Sequence, residues 1–547
     1  DDYDQVTVEV DLAGAASSID MQQVSENTNQ VNEPHHNVAI IGTGFAGLCM
    51  AIRLKQKGEE DFVLYEKAET LGGTWRDNTY PGCGCDVPSN LYSLSFEQNP
   101  NWSTKFASQS EILQYLYRLT EKYRVEQNIK FRTEITAMVW DPTRNRWHLT
   151  TATGKRFTAT VVISAMGGLH VPSTANISGR EDFSGPLFHS SQWRHDVELQ
   201  DKRVAVIGTG ASAIQFIPEI ASRVAGLTVF QRTPPWILPR NNRDTSAFER
   251  LAKHWLPWYQ QACRLRHYLS AEAVAIGLTV KPKLMGRGQK QSNNFLCDQV
   301  HDESLRKKLT PQYTMGCNRI LLSDNFYATV NQPNVTLVND AIQEITGNGL
   351  RDGTNKHWPA DVIIFATGFK PFNPTHAIRI QGRGGRVLAE EWGDTPEAFH
   401  GVCVAGYPNF FMLMGPNSGL GHNSVLLMIE TQVKYILQCL KWLDPRRGRP
   451  LMDAIEVRED VQKKYNDRLQ QRFDKSVWRS DGSVYQLPCK SWYKTKDDKV
   501  FALWPGFVSS YRWAMRRADI KKFLDKSSDE SCISDVTAGQ RKPRKSA

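Results

Sequence analysis

The sequence predicts an α/β fold that contains two separate βαβ units, with a helical insert in the second. Two glycine-rich turns indicate these units, because each turn follows a short apolar strand and opens a periodic helical segment. A third observation concerns residues 243–315, which are rich in Trp, Tyr, Arg and Lys and have helical periodicity. The chain has 547 residues, which is enough for two or three domains with their own cores.

The composition is typical of a globular protein, with 40% hydrophobic and 23% charged residues. The formal charge is +9, but the basic residues are spread along the chain, so we expect local anion sites and no nucleic-acid partner. The ten cysteines form no C-x-x-C pair, which predicts free thiols in a reducing compartment. No signal-peptide pattern and no bilayer-length apolar run occurs, so we expect a cytoplasmic protein without stable membrane insertion.

The first unit follows a polar arm, residues 1–36. A strand at 38–41 leads into the turn GTGFAG at residues 42–47, a helix to about residue 57 and a strand at 62–65. The glycines of such a turn permit a tight bend and let phosphates approach the N-terminus of the helix. The acidic residue that ends the second strand, Glu66, can accept hydrogen bonds from ribose hydroxyls. The predicted dinucleotide contacts of this unit are Gly42, Gly44, Phe45, Gly47, Glu66 and Lys67.

The second unit has a strand at 204–207, the turn GTGASA at residues 208–213, a helix and a strand at 227–230. Glu66 lies 24 residues after Gly42, and Arg232 lies 24 residues after Gly208. An arginine at this position suits the 2′-phosphate of NADP, to which Thr233 can add a hydroxyl contact. We therefore expect FAD in the first unit and NADPH in the second. The predicted contacts of the second unit are Gly208, Gly210, Ser212, Ala213, Arg232 and Thr233.

These observations predict a chain that passes twice through each of two Rossmann-like dinucleotide-binding domains. The FAD domain comprises 37–170 and 370–525, and the NADP domain comprises 171–242 and 316–369. The insert occupies 243–315, and the polar segment 526–547 is expected to be a disordered tail.

Two further strings resemble the signatures of one enzyme family. Residues 183–193, FSGPLFHSSQW, have the pattern F-x-G-x-x-x-H-x-x-x-W, and residues 72–86 have the pattern G-G-x-W-x-x-x-x-Y-P-G-x-x-x-D. Both strings resemble those of type I Baeyer–Villiger monooxygenases, and the resemblance covers about residues 37–515. It implies cofactor contacts at Gly73, Thr74, Trp75, Tyr80 and Asp86. Because residues 72–86 are rich in glycine and aromatic residues, we expect a loop over the flavin there and no regular structure. It also implies that domain movement is coupled to catalysis by Phe183, Gly185, His189 and Trp193.

Arg319 stands where the resembling family has its active-site arginine. A lone buried charge is costly, so Arg319 needs a partner, and Asp86 is the residue that we expect to orient it. The family usually has Lys before this arginine, whereas this chain has Asn318, which leaves the strictness of NADPH over NADH open. The resemblance also implies late cofactor contacts, at Ala366, Thr367, Gly368, Asn417 and Trp504.

The resemblance implies a reaction of a ketone with O2. NADPH reduces FAD, and the reduced flavin and O2 form a C4a-peroxyflavin, which attacks the ketone to give a Criegee intermediate and then an ester or lactone. Negative charge develops on oxygen in these steps, and a fixed guanidinium such as that of Arg319 would stabilise it. Linear, cyclic and bulky ketones all stay open, and a monomer or weak oligomer is expected.

Three other interpretations share the glycine turns. A flavin monooxygenase that oxidises nitrogen or sulfur typically lacks the tryptophan at 193 and the arginine at 319. A pyridine-nucleotide disulfide reductase needs a redox pair, and Cys83 with Cys85 has the wrong spacing. A non-catalytic, cofactor-gated binding protein is the third. His189 has no companion at ligand spacing, so we expect no metal and read this histidine as structural.

Overall fold

The computed structural model of the chain describes residues 33–370, 378–444, 450–479 and 489–524. The predicted tail and nearly all of the predicted N-terminal arm lie outside these residues. The strands are β1 (His35–Ile41), β2 (Phe62–Tyr65), β3 (Ile129–Lys130), β4 (Ile135–Asp141), β5 (Arg146–Thr151), β6 (Arg156–Ser164), β7 (Leu187–His189), β8 (Arg203–Ile207), β9 (Gly226–Phe230), β10 (Ile237–Leu238), β11 (Leu321–Leu322), β12 (Val335–Val338), β13 (Ile342–Thr346), β14 (Gly349–Asp352), β15 (His357–Pro359), β16 (Val362–Phe365), β17 (Arg379–Gln381) and β18 (Phe410–Met412).

The helices alternate with the strands in both units and form a separate group between β10 and β11. They are α1 (Phe45–Lys55), α2 (Thr74–Asp77), α3 (Gln109–Lys122), α4 (Ala213–Ile220), α5 (Ala247–Trp255), α6 (Pro257–Thr279), α7 (Met285–Gln299), α8 (Glu303–Leu309), α9 (Phe326–Val330), α10 (Leu388–Trp392), α11 (Val425–Leu440), α12 (Glu459–Phe473) and α13 (Val508–Ala514). The predicted α/β fold is confirmed, and α5 to α8 are the predicted helical insert.

The first sheet has eight strands in the order β17-β4-β5-β6-β1-β2-β3, with β18 also paired to β6. The pairs β6–β1, β1–β2 and β2–β3 are parallel, so the carboxyl ends of these strands share one edge of the sheet. All four residues of β2 are buried, as expected for a parallel strand that is covered on both faces. The late strands β17 and β18 join this sheet, so the chain returns to the first unit after completing the second.

The second sheet has five parallel strands in the order β12-β9-β8-β16-β7. Its two faces are covered by separate clusters of buried apolar side chains, one of which includes Ile214 and Ile217 of α4. The edge strand β7 pairs with β16, with His189 opposite Phe365. The F-x-G-x-x-x-H-x-x-x-W string is therefore part of the second sheet itself and lies beside the strand end at 366–368.

The insert is joined to the late part of the chain through a buried carboxylate on α6. Oε1 of Glu272 accepts hydrogen bonds from Asn423 Nδ2 at 3.3 Å and from the backbone N–H of Val508 at 2.9 Å. Oε2 accepts from the backbone N–H and the hydroxyl of Ser509 at 3.2 and 2.9 Å. A buried charge requires such partners, so these bonds fix α6 against the segments that precede α11 and begin α13.

Two sequence expectations are corrected by the fold. The string at 72–86, expected to be irregular, contains the short helix α2. The thiols are not all free, because Cys317 and Cys489 form a disulfide with their Cα atoms 5.5 Å apart. Their sequence separation of 172 residues hid this pair, since a long-range contact leaves no spacing pattern. The other seven described cysteines are free thiols.

Among the described residues, no helix is both long enough and apolar enough to cross a membrane.

Candidate functional site

The two glycine turns have the same geometry. Gly42 and Gly208 have φ of +106° and +110°, which a residue with a side chain rarely adopts. A Cβ atom would lie 2.7 Å from the carbonyl oxygen of Ala165 at Gly42, and 2.5 Å from that of Ala366 at Gly208. Each turn thus contacts the end of a neighbouring parallel strand. This close contact explains why both turns have glycine at their first position.

The helices that follow these turns begin without a side-chain cap. Gly44 precedes α1 and Ser212 precedes α4, and neither makes a capping hydrogen bond through a side chain. The N–H groups of a first helical turn lack partners within the helix and attract anions. Both helix N-termini are therefore suited to hold a phosphate or pyrophosphate.

Glu66 lies buried at the end of β2, directly beside the first turn. Its Oε2 accepts hydrogen bonds from the backbone N–H and the hydroxyl of Thr43 at 3.1 and 2.6 Å. Its Oε1 accepts from the backbone N–H of Ala68 at 3.0 Å and lies 3.1 Å from Arg76 Nη1. Burial alone would raise the pKa of Glu66, but these bonds and the charge of Arg76 hold it below the ordinary value. The carboxylate is thus ionised and fixed at the position expected to meet a ribose.

Features of the first unit fit FAD. Nδ1 of His170 is buried close to the Glu66 and Arg76 charges, and no described residue gives it a hydrogen bond. Gly73 has φ of +54°, and a Cβ there would come within 3.2 Å of Gly44, so the backbone leaves little room at this point. The Lys67 and Thr74 side chains are exposed beside this site. The unpartnered, buried Nδ1 of His170 and the N–H groups at the uncapped start of α1 are what a bound dinucleotide would satisfy.

The second unit presents a cation instead of a carboxylate at the equivalent strand end. Arg232 and Thr233 follow β9 and are exposed, and Arg232 forms no ion pair within the part of the chain that is described. The neighbouring Gln231 is buried and donates from Nε2 to the carbonyl of Lys308 at 2.9 Å, which fixes the backbone here. An uncommitted guanidinium at this position suits the 2′-phosphate of NADP.

Asp86 and Arg319, 233 residues apart, form a two-pronged ion pair. Nε of Arg319 donates to Oδ2 at 2.7 Å, and Nη2 donates to Oδ1 at 2.7 Å. The charge of Asp86 raises the pKa of Arg319, against the effect of burial. Burial would raise the pKa of Asp86, but the charge and hydrogen bonds of Arg319 hold it below the ordinary value. Both groups are therefore charged, and the guanidinium is held in one orientation.

Local structure brings this pair together. The backbone N–H of Cys85, next to Asp86, bonds to the carbonyl of Ala107 at 3.0 Å, which fixes the loop before α3. Arg319 lies two residues before β11, and β11 is held in parallel pairing by β10. A second cation, Arg240, donates to the carbonyl of Cys85 at 3.0 Å and adds positive potential beside Asp86. Sequence reasoning missed Arg240, because its position in a Pro-Arg-Asn loop resembles any surface arginine.

Aromatic side chains pack between the glycine turn and Asp86. Nε1 of Trp75 donates to the hydroxyl of Tyr92 at 3.1 Å, and the Phe45 and Tyr92 ring centroids lie 5.4 Å apart. Tyr92 was not identified from the sequence. Tyr80 of the same string lies elsewhere, where it packs on Phe216 of α4 and bonds to Gln215 Oε1 at 2.9 Å. Tyr80 thus joins the first unit to the second.

Asp86 also borders a cavity of about 260 Å³ between three segments of the chain. Its other walls are Val87, Pro88, Leu91, His267, Ser270, Ala271, Val274, His422 and Asn423. The His422 side chain is 1% exposed, and neither ring nitrogen has a hydrogen-bond partner among the described residues. Burial lowers the pKa of His422 to about 4, so its imidazole is neutral near pH 7. The cavity is mostly apolar, with the carboxylate of Asp86 at one edge and the neutral imidazole of His422 at another.

Comparison with known proteins adds to this geometry. Residues 39–248 match the family model described as pyridine nucleotide-disulphide oxidoreductase. The chain is 46% identical over 490 residues to a Baeyer-Villiger monooxygenase of Pseudomonas aeruginosa, and the alignment covers 89% of this chain and 91% of the relative. The chain belongs to the Baeyer–Villiger monooxygenases.

Solved structures of monooxygenases share the fold. An oxidised steroid monooxygenase bound to NADP superposes with a TM-score of 0.79 at 29% identity, over 90% of this chain and 99% of that one. A structure of OTEMO in complex with FAD and NADP superposes with a TM-score of 0.77 at 26% identity, over 88% of this chain and 97% of that one. FAD and NADP are thus the cofactors found in proteins of this fold.

In this Baeyer–Villiger monooxygenase the 183–193 string lies beside the end of β16. His189 is buried, and its Nδ1 accepts from the backbone N–H of Ser191 at 3.2 Å. Burial lowers the pKa of His189, and the backbone of Gly368 partly opposes this. Its ring lies 5.7 Å from that of Phe369, while the Trp193 ring lies 5.2 Å from Phe216. The string therefore links the 366–368 turn to α4. The 366–368 turn contacts the second glycine turn at Gly208, and α4 follows that glycine turn in the chain.

The other residues of this string and of the turn have packing roles. Gly185 has no room for a side chain, since a Cβ would lie 2.3 Å from the carbonyl oxygen of Asp361. Phe183 packs with the cluster on one face of the second sheet. The hydroxyl of Thr367 donates to the carbonyl of Ser173.

Among the described residues, no group of His, Cys, Asp and Glu could hold a metal ion.

Two late residues of the predicted cofactor set are used within the protein. Nδ2 of Asn417 donates to the carbonyls of Val500 and Leu503 at 2.8 and 3.0 Å. Trp504 is buried, and its Nε1 donates to the carbonyl of Phe507 at 3.1 Å. Both bonds fix the segment before α13, and a contact of either residue with a cofactor stays a prediction.

Replacing Glu66 by glutamine is expected to weaken FAD binding about tenfold or more, because a charge-assisted hydrogen bond contributes about 1.5–3 kcal/mol. Fluorescence titration of the apoprotein with FAD measures the change. Glu69→Gln is the matched control, since Glu69 is an exposed neighbour whose ion-pair partner among the described residues is the exposed Arg132. Equal FAD affinity of the two variants would contradict the assignment of Glu66.

Proposed function

We propose that this chain uses FAD, NADPH and O2 to insert one oxygen atom beside a ketone carbonyl, giving an ester or lactone. The observation that carries the proposal is the Asp86–Arg319 ion pair, which joins the two dinucleotide units and whose aspartate borders a mostly apolar cavity. Membership of the family indicates the class of reaction, and the position of the Asp86–Arg319 pair indicates where in the protein the reaction takes place.

FAD, when bound, supplies the redox chemistry, taking a hydride from NADPH and activating O2. Arg319 stabilises the negative charge that develops on oxygen as the ketone reacts. Its Nε and Nη2 are occupied by Asp86, and Nη1 has no partner among the described residues. Asp86 orients the guanidinium so that the Nη1 donors face away from the carboxylate.

The apolar side chains beside Asp86 limit the amount of water around the reacting oxygen. Val87, Pro88 and Leu91 are apolar, and the buried Trp75 packs nearby against Tyr92. A site with little water strengthens the interaction between Arg319 and a developing negative charge. It also limits proton transfer from water, which would divert the reaction to hydrogen peroxide.

The dinucleotide contacts divide between the two units. Glu66 holds the FAD ribose, and Arg232 with Thr233 holds the NADPH 2′-phosphate. Asn318, where the family has lysine, donates to the carbonyl of Lys490 at 3.3 Å and adds no charge. Arg232 is therefore the main source of preference for NADPH. Phe183, Gly185, His189 and Trp193 transmit movement between the 366–368 turn and α4.

The predicted domain boundaries, the cytoplasmic location and the monomer or weak oligomer belong to the same proposal. The placement of β17 and β18 in the first sheet supports the division of the FAD domain into two parts.

Product analysis tests the proposed activity. FAD-loaded protein with NADPH and air is given linear and cyclic ketones, and gas chromatography with mass spectrometry identifies products. We expect an ester or lactone from at least one ketone class. NADPH consumption that yields only hydrogen peroxide with every ketone, while amines or sulfides are oxidised, would favour the nitrogen- or sulfur-oxidising alternative instead.

A further inference from the structure

The helical insert exposes a large apolar surface. Six large apolar side chains on α5 and α6 are between 55% and 80% exposed. We call this set the insert face; it consists of Phe248, Leu251, Trp255, Trp258, Leu265 and Leu269. Single exposed apolar residues are ordinary, but six on two consecutive helices are not. An apolar patch of this size is typical of a surface that binds a protein partner or a membrane.

Helix α5 and the first part of α6 bury polar side chains and expose apolar ones. Gln260, Arg264 and Glu272 of α6 are buried, and so is Lys253 of α5. Arg264, for example, donates from Nη1 to the carbonyl of Ser93 at 3.0 Å. A helix on the surface of a globular protein in water normally has the opposite arrangement. Covering such an exposed apolar side removes it from water and is therefore favourable.

The spacing of the exposed residues matches one face of each helix. Phe248, Leu251 and Trp255 are separated by three and four residues on α5. On α6, Leu265 and Leu269 are four residues apart, and the stripe continues to the exposed Ile276. Residues at these separations lie on the same side of a helix. The apolar residues thus form continuous stripes.

The charge around the insert face is strongly positive. Residues 245–297 contain eight Lys and Arg but only two acidic residues, Glu249 and Glu272. Glu249 pairs with Arg243 and Lys253, and Glu272 is buried and hydrogen-bonded, so neither offsets the exposed cations. The exposed cations of this segment are Arg266, Lys281, Lys283, Arg287 and Lys290.

We propose that the insert face docks on an anionic lipid surface. Tryptophan and leucine side chains would enter the boundary between headgroups and acyl chains, while the cations would contact anionic headgroups. A second copy of the chain fits less well, because a two-fold axis would bring equal basic surfaces together without acidic partners. Docking of this kind needs no helix that spans the bilayer.

The insert face adjoins the cavity beside Asp86. His267, Ser270 and Val274 of α6 line that cavity, and they alternate along the helix with the exposed Leu265 and Leu269. Docking through α6 therefore places one wall of the cavity close to the lipid. The docking itself is independent of the proposed reaction and can be measured without turnover.

Co-sedimentation of the FAD-loaded protein with vesicles tests the proposal. We expect binding to vesicles that contain phosphatidylglycerol, binding at least about tenfold weaker to pure phosphatidylcholine, and loss of binding in high salt. The double variant Trp255→Ser/Trp258→Ser should bind anionic vesicles about tenfold more weakly or worse, because it removes two large apolar side chains. Its flavin absorbance and cofactor content should not change.

Leu451→Ser is the matched control, since Leu451 is 64% exposed but lies outside the insert. A second variant, Arg266→Glu/Lys283→Glu, should weaken binding without touching the apolar stripe. The proposal is overturned if the unmodified protein binds neither vesicle, or if the tryptophan variant binds as well as the control. A dimer in light scattering that the tryptophan variant converts to monomer would show that a second copy covers the face, which would also overturn it.

Discussion

Replacing Arg319 by alanine is expected to lower the rate of ester formation about 100- to 1,000-fold, the usual effect of removing one donor from a developing oxyanion. Reduction of bound FAD by NADPH should proceed, because the hydride step does not need charge stabilisation at this oxygen. NADPH should then be consumed with release of hydrogen peroxide. Anaerobic stopped-flow absorbance measures flavin reduction, and product analysis measures oxygen insertion.

Arg203→Ala is the matched control for this variant. Arg203 also forms a two-pronged ion pair with an aspartate, Asp361, but this pair is largely exposed and lies away from the cavity. The control should retain ester formation. Arg319→Lys keeps the charge but loses the rigid pair of N–H donors, so its rate of ester formation should fall between those of Arg319→Ala and Arg203→Ala. Normal ester formation in Arg319→Ala would remove Arg319 from the reaction.

Replacing Arg232 by glutamine is expected to raise the KM for NADPH about 10- to 100-fold and to leave that for NADH nearly unchanged, because charge-assisted bonds to phosphate contribute about 1.5–3 kcal/mol. Only the 2′-phosphate distinguishes the two cofactors. The effect is expected to be large here because Asn318 supplies no second cation. Steady-state rates with each cofactor measure the change.

Arg223→Gln serves as the control for Arg232→Gln. Arg223 lies in the same unit and is exposed, and it lies 3.6 Å from Glu198. Its loss should alter neither KM. An equal rise in the KM for NADPH and NADH in Arg232→Gln would mean that Arg232 acts on the common part of the dinucleotide.

The two dinucleotide units could be predicted from the sequence because their signals are local. A glycine turn, its strand and its helix lie within about 30 residues, and the strand end falls at a fixed distance. Gly42 with Glu66, and Gly208 with Arg232, follow this rule at identical spacing. Each of these four residues occupies the predicted place at a turn or a strand end.

Features made by distant segments could not be predicted in the same way. Asp86 and Arg319 were matched through a family resemblance and the need of a charge for a partner. Arg240 and Tyr92 contact the same region but carry no pattern of their own. The walls of the cavity come from three separate segments, so His422 gave no signal at all.

Tertiary packing also gives some residues structural contacts that their motifs do not indicate. Trp504 sits in a tryptophan-rich segment, which is compatible with either a cofactor contact or a core position. The structure gives it a buried site against Tyr511, at 4.9 Å between ring centroids. The Cys317–Cys489 disulfide could not be predicted from the sequence either, because only the tertiary structure brings its two cysteines together.

Incorporation of ¹⁸O from labelled O2 tests the central claim most directly. The FAD-loaded protein, NADPH and an accepted ketone are incubated under ¹⁸O2, and the product is analysed by mass spectrometry. We predict one ¹⁸O atom per molecule of ester or lactone, located in the ring or ester oxygen and not in the carbonyl. A product without ¹⁸O, or conversion that does not require O2, would contradict the account.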